Sequence, residues 1–196
     1  MLKKTLTVLT LLATCSIGEA SATILTFEGQ PNTTYGAPIV RSGFSIGNVV
    51  GDEQHFHEID STQFGLVSNG TGILLNDRNT RIFVEDQFGA DFSLGSVDVA
   101  TAGNNNPGLS IVIEGFLNGS SVGTLSTTFG GGFTTLSGLS LGTVDRLVFD
   151  GIGNQGGFEL DNLSLNAATS TVPEPASLLL LGSGLAGLAA WRRRQA

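Results

Sequence analysis

The stretch Leu109–Thr128, L-S-I-V-I-E-G-F-L-N-G-S-S-V-G-T-L-S-T-T, predicts two antiparallel β-strands joined by a tight turn. Asn118-Gly119 is a dipeptide that two-residue hairpin turns favour, because both central residues of such a turn take a positive φ. The runs on either side, 109–117 and 121–128, are rich in β-branched residues, which pack well on a pleated surface. A hairpin at this position predicts that the chain around it folds as an antiparallel sheet.

The same pattern of short strands separated by turn residues continues on both sides of this hairpin. Segments rich in glycine and asparagine, such as 104–108, 130–132 and 151–157, predict loops. No segment between the two ends of the chain has a useful helical period. The other strands are predicted at Thr23–Phe27, Phe44–Val50, His55–Ile59, Gly72–Leu75, Arg81–Glu85, Phe92–Leu94, Ser96–Thr101, Arg146–Phe149 and Phe158–Leu165.

Residues 23–168 are enough for one domain with a buried core, and 169–175 follow as a linker. Many short strands at this spacing predict an all-β fold, an antiparallel two-sheet sandwich of the jelly-roll type. In the last strand, strict alternation places one set of side chains on each face. The first set is Phe158, Leu160, Asn162 and Ser164, and the second is Glu159, Asp161, Leu163 and Leu165.

Charge is distributed unevenly along the chain. The whole chain carries a net charge of −8 from nine basic and seventeen acidic residues. Residues 23–175 contain four arginines, no lysine and sixteen carboxylic acids, so their net charge is 4 − 16 = −12. An acidic surface of this kind repels phosphate backbones, so we expect no nucleic-acid partner. It is compatible with divalent cations and with neutral sugars.

Residues 1–22 have the organisation of a secretory signal peptide. A lysine pair precedes the short apolar run Thr5–Ile17, and Ala20-Ser21-Ala22 supplies a cleavage site. We expect the secretion translocon to export the chain and a cut to follow Ala22. Cys15 also permits a second interpretation, a lipoprotein site at which this cysteine is acylated. A cut after Ala22 leaves no cysteine, so no disulfide framework is expected.

The tail has three consecutive parts. Pro173-Glu174-Pro175 is held extended by its prolines, 176–191 is apolar or small throughout, and 192–196 begins with Arg192-Arg193-Arg194. A helix over 176–191 would span roughly 24 Å, less than the ~30 Å hydrocarbon core of a bilayer. We predict a single C-terminal transmembrane helix that holds the chain in the inner membrane temporarily, with the basic tail in the cytoplasm. A permanent membrane anchor is the alternative.

These three elements, in this order, resemble the PEP-CTERM sorting signal of Gram-negative bacteria, a tail also known as an ice-binding protein C-terminal domain. The resemblance covers about an eighth of the chain. It implies recognition by exosortase, a membrane transpeptidase that cuts near the Pro-Glu-Pro triplet. It also implies a final location at the cell surface or in the extracellular matrix of a bacterium that makes extracellular polysaccharide.

The body resembles the sandwich domains that such proteins carry, which are similar to jelly-roll carbohydrate-binding modules. The pieces that carry this resemblance are short and mostly structural, so they support the fold more than any ligand. They are Thr26-Phe27-Glu28-Gly29, Phe92-Ser93-Leu94-Gly95-Ser96-Val97-Asp98-Val99-Ala100 and Phe158-Glu159-Leu160-Asp161-Asn162-Leu163-Ser164-Leu165.

The segment 51–60, G-D-E-Q-H-F-H-E-I-D, contains both histidines of the chain. On a strand, His55 and His57 point the same way and Phe56 points towards the core. Two imidazoles with nearby carboxylates could bind zinc, copper or nickel. The usual catalytic zinc spacing on a helix is absent, so a strand whose histidines are solvated or hydrogen-bonded is the other interpretation.

Glu28 and Asp161 are candidate ligands of a structural calcium ion. In the modules that the body resembles, an early acidic residue and a late aspartate help to hold such an ion. Calcium takes six to eight oxygen ligands, which Asn162 and the carbonyl groups of 151–157 could complete near Asp150 in the preceding turn. A carboxylate satisfied by ordinary hydrogen bonds is the alternative.

The pattern G-x-S-x-G occurs at 43–47, 119–123 and 138–142, but no helical segment follows it, so no nucleophile elbow is predicted. H-E-x-x-H and P-loop motifs are absent from the sequence. The carboxylate pairs Asp52/Glu58 and Glu85/Asp86 could serve glycoside hydrolysis only if they faced each other across a cleft, about 5–9 Å apart. A sugar-binding surface needs an exposed aromatic ring, and Tyr35, in a loop, is the best candidate.

We therefore expect a non-catalytic, exported surface or extracellular-matrix protein with weak carbohydrate affinity, associated with exopolysaccharide or biofilm. A secreted glycan hydrolase is the alternative. Ice binding is a third hypothesis, suggested by the threonines of 124–135. A flat ice-binding face requires a regular T-x-T repeat, which this segment does not have.

Overall fold

The computed structural model describes residues 22–29, 32–52, 56–62, 66–76, 80–102, 109–152 and 157–167, and the single tail residues 185, 192 and 193. Thirteen strands lie within 22–167. They are β1 Ala22–Leu25, β2 Thr33–Tyr35, β3 Ile39–Arg41, β4 Phe44–Asn48, β5 Phe56–Asp60, β6 Gly72–Asn76, β7 Arg81–Asp86, β8 Phe92–Thr101, β9 Leu109–Leu117, β10 Ser120–Phe129, β11 Thr134–Ser137, β12 Arg146–Ile152 and β13 Phe158–Ala167.

The strands form two antiparallel sheets. The six-stranded sheet has the order β10-β9-β12-β7-β4-β3. The seven-stranded sheet has the order β11-β8-β13-β6-β5-β2, and β1 pairs with β13 as well. The predicted all-β, two-sheet antiparallel sandwich is therefore confirmed.

The inner faces of the two sheets bury one large hydrophobic cluster. Its largest side chains are phenylalanines, among them Phe27, Phe56 and Phe149, all at most 1% exposed. A smaller cluster of Ile59, Ile73 and Leu75 lies on the outer face of the seven-stranded sheet. Both clusters and every described strand lie within 22–167, a segment referred to below as the sandwich.

The predicted hairpin of β9 and β10 is present. β9 has the predicted bounds, and Asn118 and Gly119 both take positive φ, 53° and 75°. The predicted strands 92–94 and 96–101 are one continuous strand, β8. β12 continues through Ile152, so the start of the predicted loop 151–157 is strand. The three short edge strands β2, β3 and β11 were not predicted.

The alternation predicted for the last strand is wrong. Phe158 and Leu160 belong to the core, but so do Leu163 and Leu165, all with no exposed surface. The pairing of β13 with β8 shifts register after Asp161, and the next residue, Asn162, has a φ of 48°. A β-bulge here inserts an extra residue, which turns both apolar pairs towards the core.

Several sequence predictions concern residues outside those described. The signal peptide up to residue 21, His55, the linker 169–175 and the sorting triplet Pro173-Glu174-Pro175 are among them, as is most of the predicted helix 176–191. Of the residues that are described, none belong to a helix long and apolar enough to cross a membrane.

The backbone just after β1 lies very close to the start of β6. A Cβ atom on Gly72, the first residue of β6, would lie 2.1 Å from the carbonyl oxygen of Phe27, which is backbone and cannot rotate away. We expect Gly72→Ala to lower the free energy of unfolding by about 1–3 kcal/mol, as overpacking does. Urea denaturation of the sandwich measures this change.

The matched control is Gly130→Ala, because a Cβ on Gly130 has no atom within 4 Å. We expect this variant to change the free energy of unfolding by no more than about 0.5 kcal/mol. Equal effects of the two substitutions would show that Phe27 and Gly72 are not in this close contact.

Candidate functional site

The outer face of the six-stranded sheet carries three rows of side chains that run across its central strands β9, β12 and β7. Strand alternation places even residues of β9 and β12 and odd residues of β7 on this face. The register then aligns them in rows. These are Phe116, Arg146 and Glu85 in the first row, Glu114, Val148 and Phe83 in the second, and Val112, Asp150 and Arg81 in the third.

A groove with a volume of about 590 Å³ lies over these rows. Its walls include Arg146 and Glu85 from the first row and Glu114 from the second. A second hollow of about 350 Å³ shares Val49, Glu85 and Arg146 with it and extends the same surface towards the segment 36–38. The two hollows therefore form one candidate site on a single sheet face.

Arg146 lies at the centre of this site. Its guanidinium carbon is 4.5 Å from the centre of the Phe83 ring, a cation–π contact that covers the ring and leaves it 7% exposed. Within the described part of the chain, the buried Nε of Arg146 and the buried Oδ1 of Asn48 make no hydrogen bond. Both atoms belong to residues that line the smaller hollow.

In the third row, Arg81 forms an ion pair with Asp52. Asp52 accepts hydrogen bonds from the backbone N, Nε and Nη2 of Arg81, at 2.8, 3.0 and 3.1 Å. These bonds lower the pKa of Asp52 and raise that of Arg81. Burial raises the pKa of Asp150, which Arg81 partly opposes. Asp150 therefore belongs to this site and not, as predicted, to a turn beside Asp161.

Phe88 stands next to the groove and was missed by the sequence analysis. It is 86% exposed, in the turn between β7 and β8 whose neighbours Asp86 and Gly89 line the groove. The turn is fixed because Asp86 Oδ1 accepts hydrogen bonds from the backbone N of Phe88, at 2.8 Å, and of Ala90, at 3.1 Å. The sequence signal was an aromatic residue inside a polar turn ending in glycine, where a core side chain is not expected.

Tyr35, the predicted exposed aromatic, is partly buried and contacts other side chains. It lies in β2, stacks on Phe56 at a centroid distance of 5.4 Å, and donates a hydrogen bond of 2.8 Å to Glu58. Glu58 is fully buried and also pairs with Arg41, Nη2 to Oε2, at 2.5 Å. This cluster joins β5 of one sheet to β3 of the other, so its function is structural.

The predicted carboxylate pairs do not form. Asp52 is bound to Arg81, beside the six-stranded sheet, whereas Glu58 is bound to Arg41 on the inner side of β5. Glu85 and Asp86 are consecutive in β7, and Asp86 caps the following turn. Neither pair has the arrangement of two carboxylates facing each other across a cleft.

Glu28 and Asp161, the predicted calcium ligands, do lie close together. Glu28 is exposed after β1, and its Oε2 is 3.5 Å from the backbone N of Gly72. Asp161 Oδ2 accepts a hydrogen bond of 2.9 Å from Thr71, the residue before Gly72. Burial raises the pKa of Asp161, and the negative charge of Glu28 raises it further.

Asp161 already has several hydrogen-bond partners. Asn69 Nδ2 donates to it at 2.8 Å, and the backbone N of Asn162 donates at 2.8 Å. Among the described residues, no group of three or more His, Cys, Asp or Glu side chains is placed to hold a metal ion. A cation at this position would therefore need backbone and amide oxygens as well as the two carboxylates.

The histidine segment is described in part. Phe56 is fully buried, as predicted, and His57 lies on the opposite face of β5. His57 Nδ1 is 2.8 Å from Thr34 Oγ1 on the neighbouring strand β2. This contact corresponds to the hydrogen-bonded interpretation of the segment; His55 lies outside the described residues.

The PEP-CTERM protein-sorting motif matches residues 171–194. This match confirms the resemblance drawn from the Pro-Glu-Pro triplet, the apolar run and the terminal arginines, and it implies sorting by exosortase. No curated protein matches the sequence.

Several solved structures are similar to this chain at low identity and with TM-scores below 0.5. The K1 cleaved adhesin domain of Lys-gingipain from Porphyromonas gingivalis is 10% identical, with 75% of this chain and 98% of that domain covered and a TM-score of 0.46. A family 29 carbohydrate-binding module from Piromyces equi is 13% identical, with 76% and 91% covered and a TM-score of 0.45. The C-terminal family 22 module of Clostridium thermocellum Xyn10B is 12% identical, with 76% and 96% covered and a TM-score of 0.40. These similarities concern the fold alone.

Proposed function

We propose that this protein is an exported, exosortase-processed, non-catalytic surface or matrix protein that binds neutral glycans in the groove over β7, β9 and β12. The sorting motif at 171–194 supports the destination. The groove, with exposed Phe88 beside it, is the observation that carries the binding function. Association with exopolysaccharide or biofilm follows from these two together.

The composition of the groove suits hydroxyl groups. A sugar hydroxyl both donates and accepts hydrogen bonds, so it needs donors and acceptors side by side. The first row supplies them, because Arg146 stands opposite Glu85 in the register of β12 and β7. Concave sites with a few convergent polar groups are the usual form of a small-molecule site.

Phe88 supplies the apolar part of the site. The C–H face of a sugar ring packs against an aromatic ring, and Phe88 is held in place by the capped turn around it. The net charge of −12 over residues 23–175 opposes uronic acids and sulfated sugars, because like charges repel. The ligand class is therefore a neutral glycan.

We also propose that Glu28 and Asp161 hold a structural calcium ion. Asp161 is fully buried, and the charge of Glu28 adds to the cost of ionising it. A bound cation would offset both the burial of this carboxylate and the repulsion between the two. The ion would join the end of β1 to β13 and the start of β6.

The processing proposal makes the first of three predictions about function. In a host that has exosortase, we expect the chain to lose its C-terminus, as an epitope tag after Ala196 would show on blots of membrane fractions. Changing Pro173 and Pro175 to Ala should leave the tagged chain uncut in the membrane, since the triplet is the recognition element. Ser170→Ala, just outside the matched motif, is the control. Full-length wild-type chain that persists in such a host would contradict the proposal.

The groove makes the second prediction. In affinity electrophoresis through gels that contain a soluble neutral β-glucan or xylan, we expect the sandwich to be retarded. Phe88→Ala should weaken binding by about 1–3 kcal/mol, the range for loss of a stacking aromatic ring, and Glu85→Gln should weaken it as well. The folded structure should persist, because Phe88 is 86% exposed.

Two controls accompany this experiment. Ile24→Ala removes another exposed apolar side chain, on β1, and Asp91→Asn removes an exposed carboxylate away from the groove. Retardation of wild type that Phe88→Ala does not reduce would reject the groove as the site. Release of new reducing ends from the glycan would instead favour the hydrolase alternative.

Calcium makes the third prediction. At calcium concentrations about 100 times its dissociation constant, we expect stabilisation of about 2.7 kcal/mol, which raises the melting temperature of the sandwich by roughly 5–10 °C. A chelator should reverse the shift, and Glu28→Gln should abolish it while Asp91→Asn keeps it. A melting temperature that calcium leaves unchanged would reject the metal site and leave the hydrogen-bonded carboxylate.

A further inference from the structure

One sheet edge differs from the others in length. The edge strands β1, β2, β3 and β11 contain only three or four residues each. β10, Ser120–Phe129, contains ten and pairs with β9 alone within the described part of the chain. A register shift between Ser121 and Gly123 leaves 123–129 as a regular stretch of open edge.

The composition of β10 is unusual for a long open edge. Its sequence, S-S-V-G-T-L-S-T-T-F, contains no charged residue and no proline. Natural β proteins protect such edges with lysine, proline, bulges or a covering segment, because unpaired N–H and C=O groups recruit another strand. Apart from the bulge at its first residues, β10 has none of these protections in the described structure.

A slot beside β10 offers apolar contacts to any strand that pairs with this edge. It has a volume of about 340 Å³ and lies between β10 and β11. Leu125, Leu136 and Leu139 line it, and the core residues Ile111 and Ile113 also reach it. The seam between the two sheets is therefore apolar next to the open edge.

We propose that β10 pairs antiparallel with β10 of a second copy, about a two-fold axis normal to the sheet, and joins two six-stranded sheets into one of twelve strands. The uncharged edge is where two acidic copies can approach each other with the least repulsion. The net charge of −12 over residues 23–175 makes two copies repel over most approaches, but β10 contributes no charge. In the antiparallel pair, serine and threonine side chains lie opposite each other, an arrangement that contributes favourably to strand pairing.

Sedimentation velocity of the sandwich tests this pairing. We expect a concentration-dependent dimer that strengthens with added salt, since salt screens the repulsion between two acidic domains. Exposed positions of β10 allow a disruptive variant that leaves the core intact. Ser126→Glu with Thr128→Glu places like charges across the pair, while these two positions face only uncharged residues of β9. This variant should weaken dimerisation about tenfold or more, equivalent to about 1.4 kcal/mol.

The control for added charge is Thr26→Glu with Gln87→Glu, both at exposed positions outside β10 and outside the slot. This variant has the same net charge as the β10 variant and should dimerise as the wild type does in high salt. A sandwich that stays monomeric at hundreds of micromolar in high salt would overturn the proposal. So would a dimer that both double variants weaken equally.

Cysteine cross-linking locates the interface independently. The single cysteine of the chain is Cys15, so residues 22–167 contain none. A mixture of the Thr124→Cys and Ser126→Cys sandwiches should form disulfide-linked dimers under mild oxidation, because paired strands bring Cα atoms within about 7 Å. The Thr26→Cys sandwich should not, because residue 26 lies outside β10 and outside the slot. Cross-linking of equal yield at position 26 would show that the copies associate elsewhere.

Discussion

The fold depends on the bulge at Asp161–Asn162, because β13 must pair with two different strands on one of its edges. Its first half pairs with β6 and its second half with β1, while β8 pairs along the other edge. The bulge keeps apolar side chains of both halves in the core. The carboxylate of Asp161 is buried at the bulge, and hydrogen bonds from Asn69 and Thr71 offset the cost of its burial.

The outer faces of the two sheets differ in how far they are covered. The outer face of the seven-stranded sheet is partly covered, since Leu66 and Phe133 pack on its small hydrophobic cluster and Val67 N donates a hydrogen bond to buried Glu159. The outer face of the six-stranded sheet is left open over β9, β12 and β7, with the groove along it. The seven-stranded sheet thus has a partly covered outer face, and the six-stranded sheet has an open one.

The sequence was sufficient for strands with regular patterns and strong turns, such as β9 and the Asn118-Gly119 turn. It failed at β13 because periodicity assumes an unbroken strand, and a bulge reverses the alternation. It placed Tyr35 in a loop, whereas Tyr35 lies in a strand and contacts Glu58 and Phe56, which are distant in sequence. It also missed Phe88, which is exposed in a local turn. The groove itself could not be predicted, since its rows follow from strand register, which a single sequence does not specify.

The central claim is that the open face of the six-stranded sheet is the surface that meets glycans. The most direct measurement is a ¹⁵N–¹H correlation spectrum of the labelled sandwich during titration with a neutral oligosaccharide. We expect saturable shifts confined to β7, β9, β12 and the turn at Phe88. Shifts centred on the seven-stranded sheet, or a spectrum unchanged across neutral oligosaccharides of several linkages, would contradict the account.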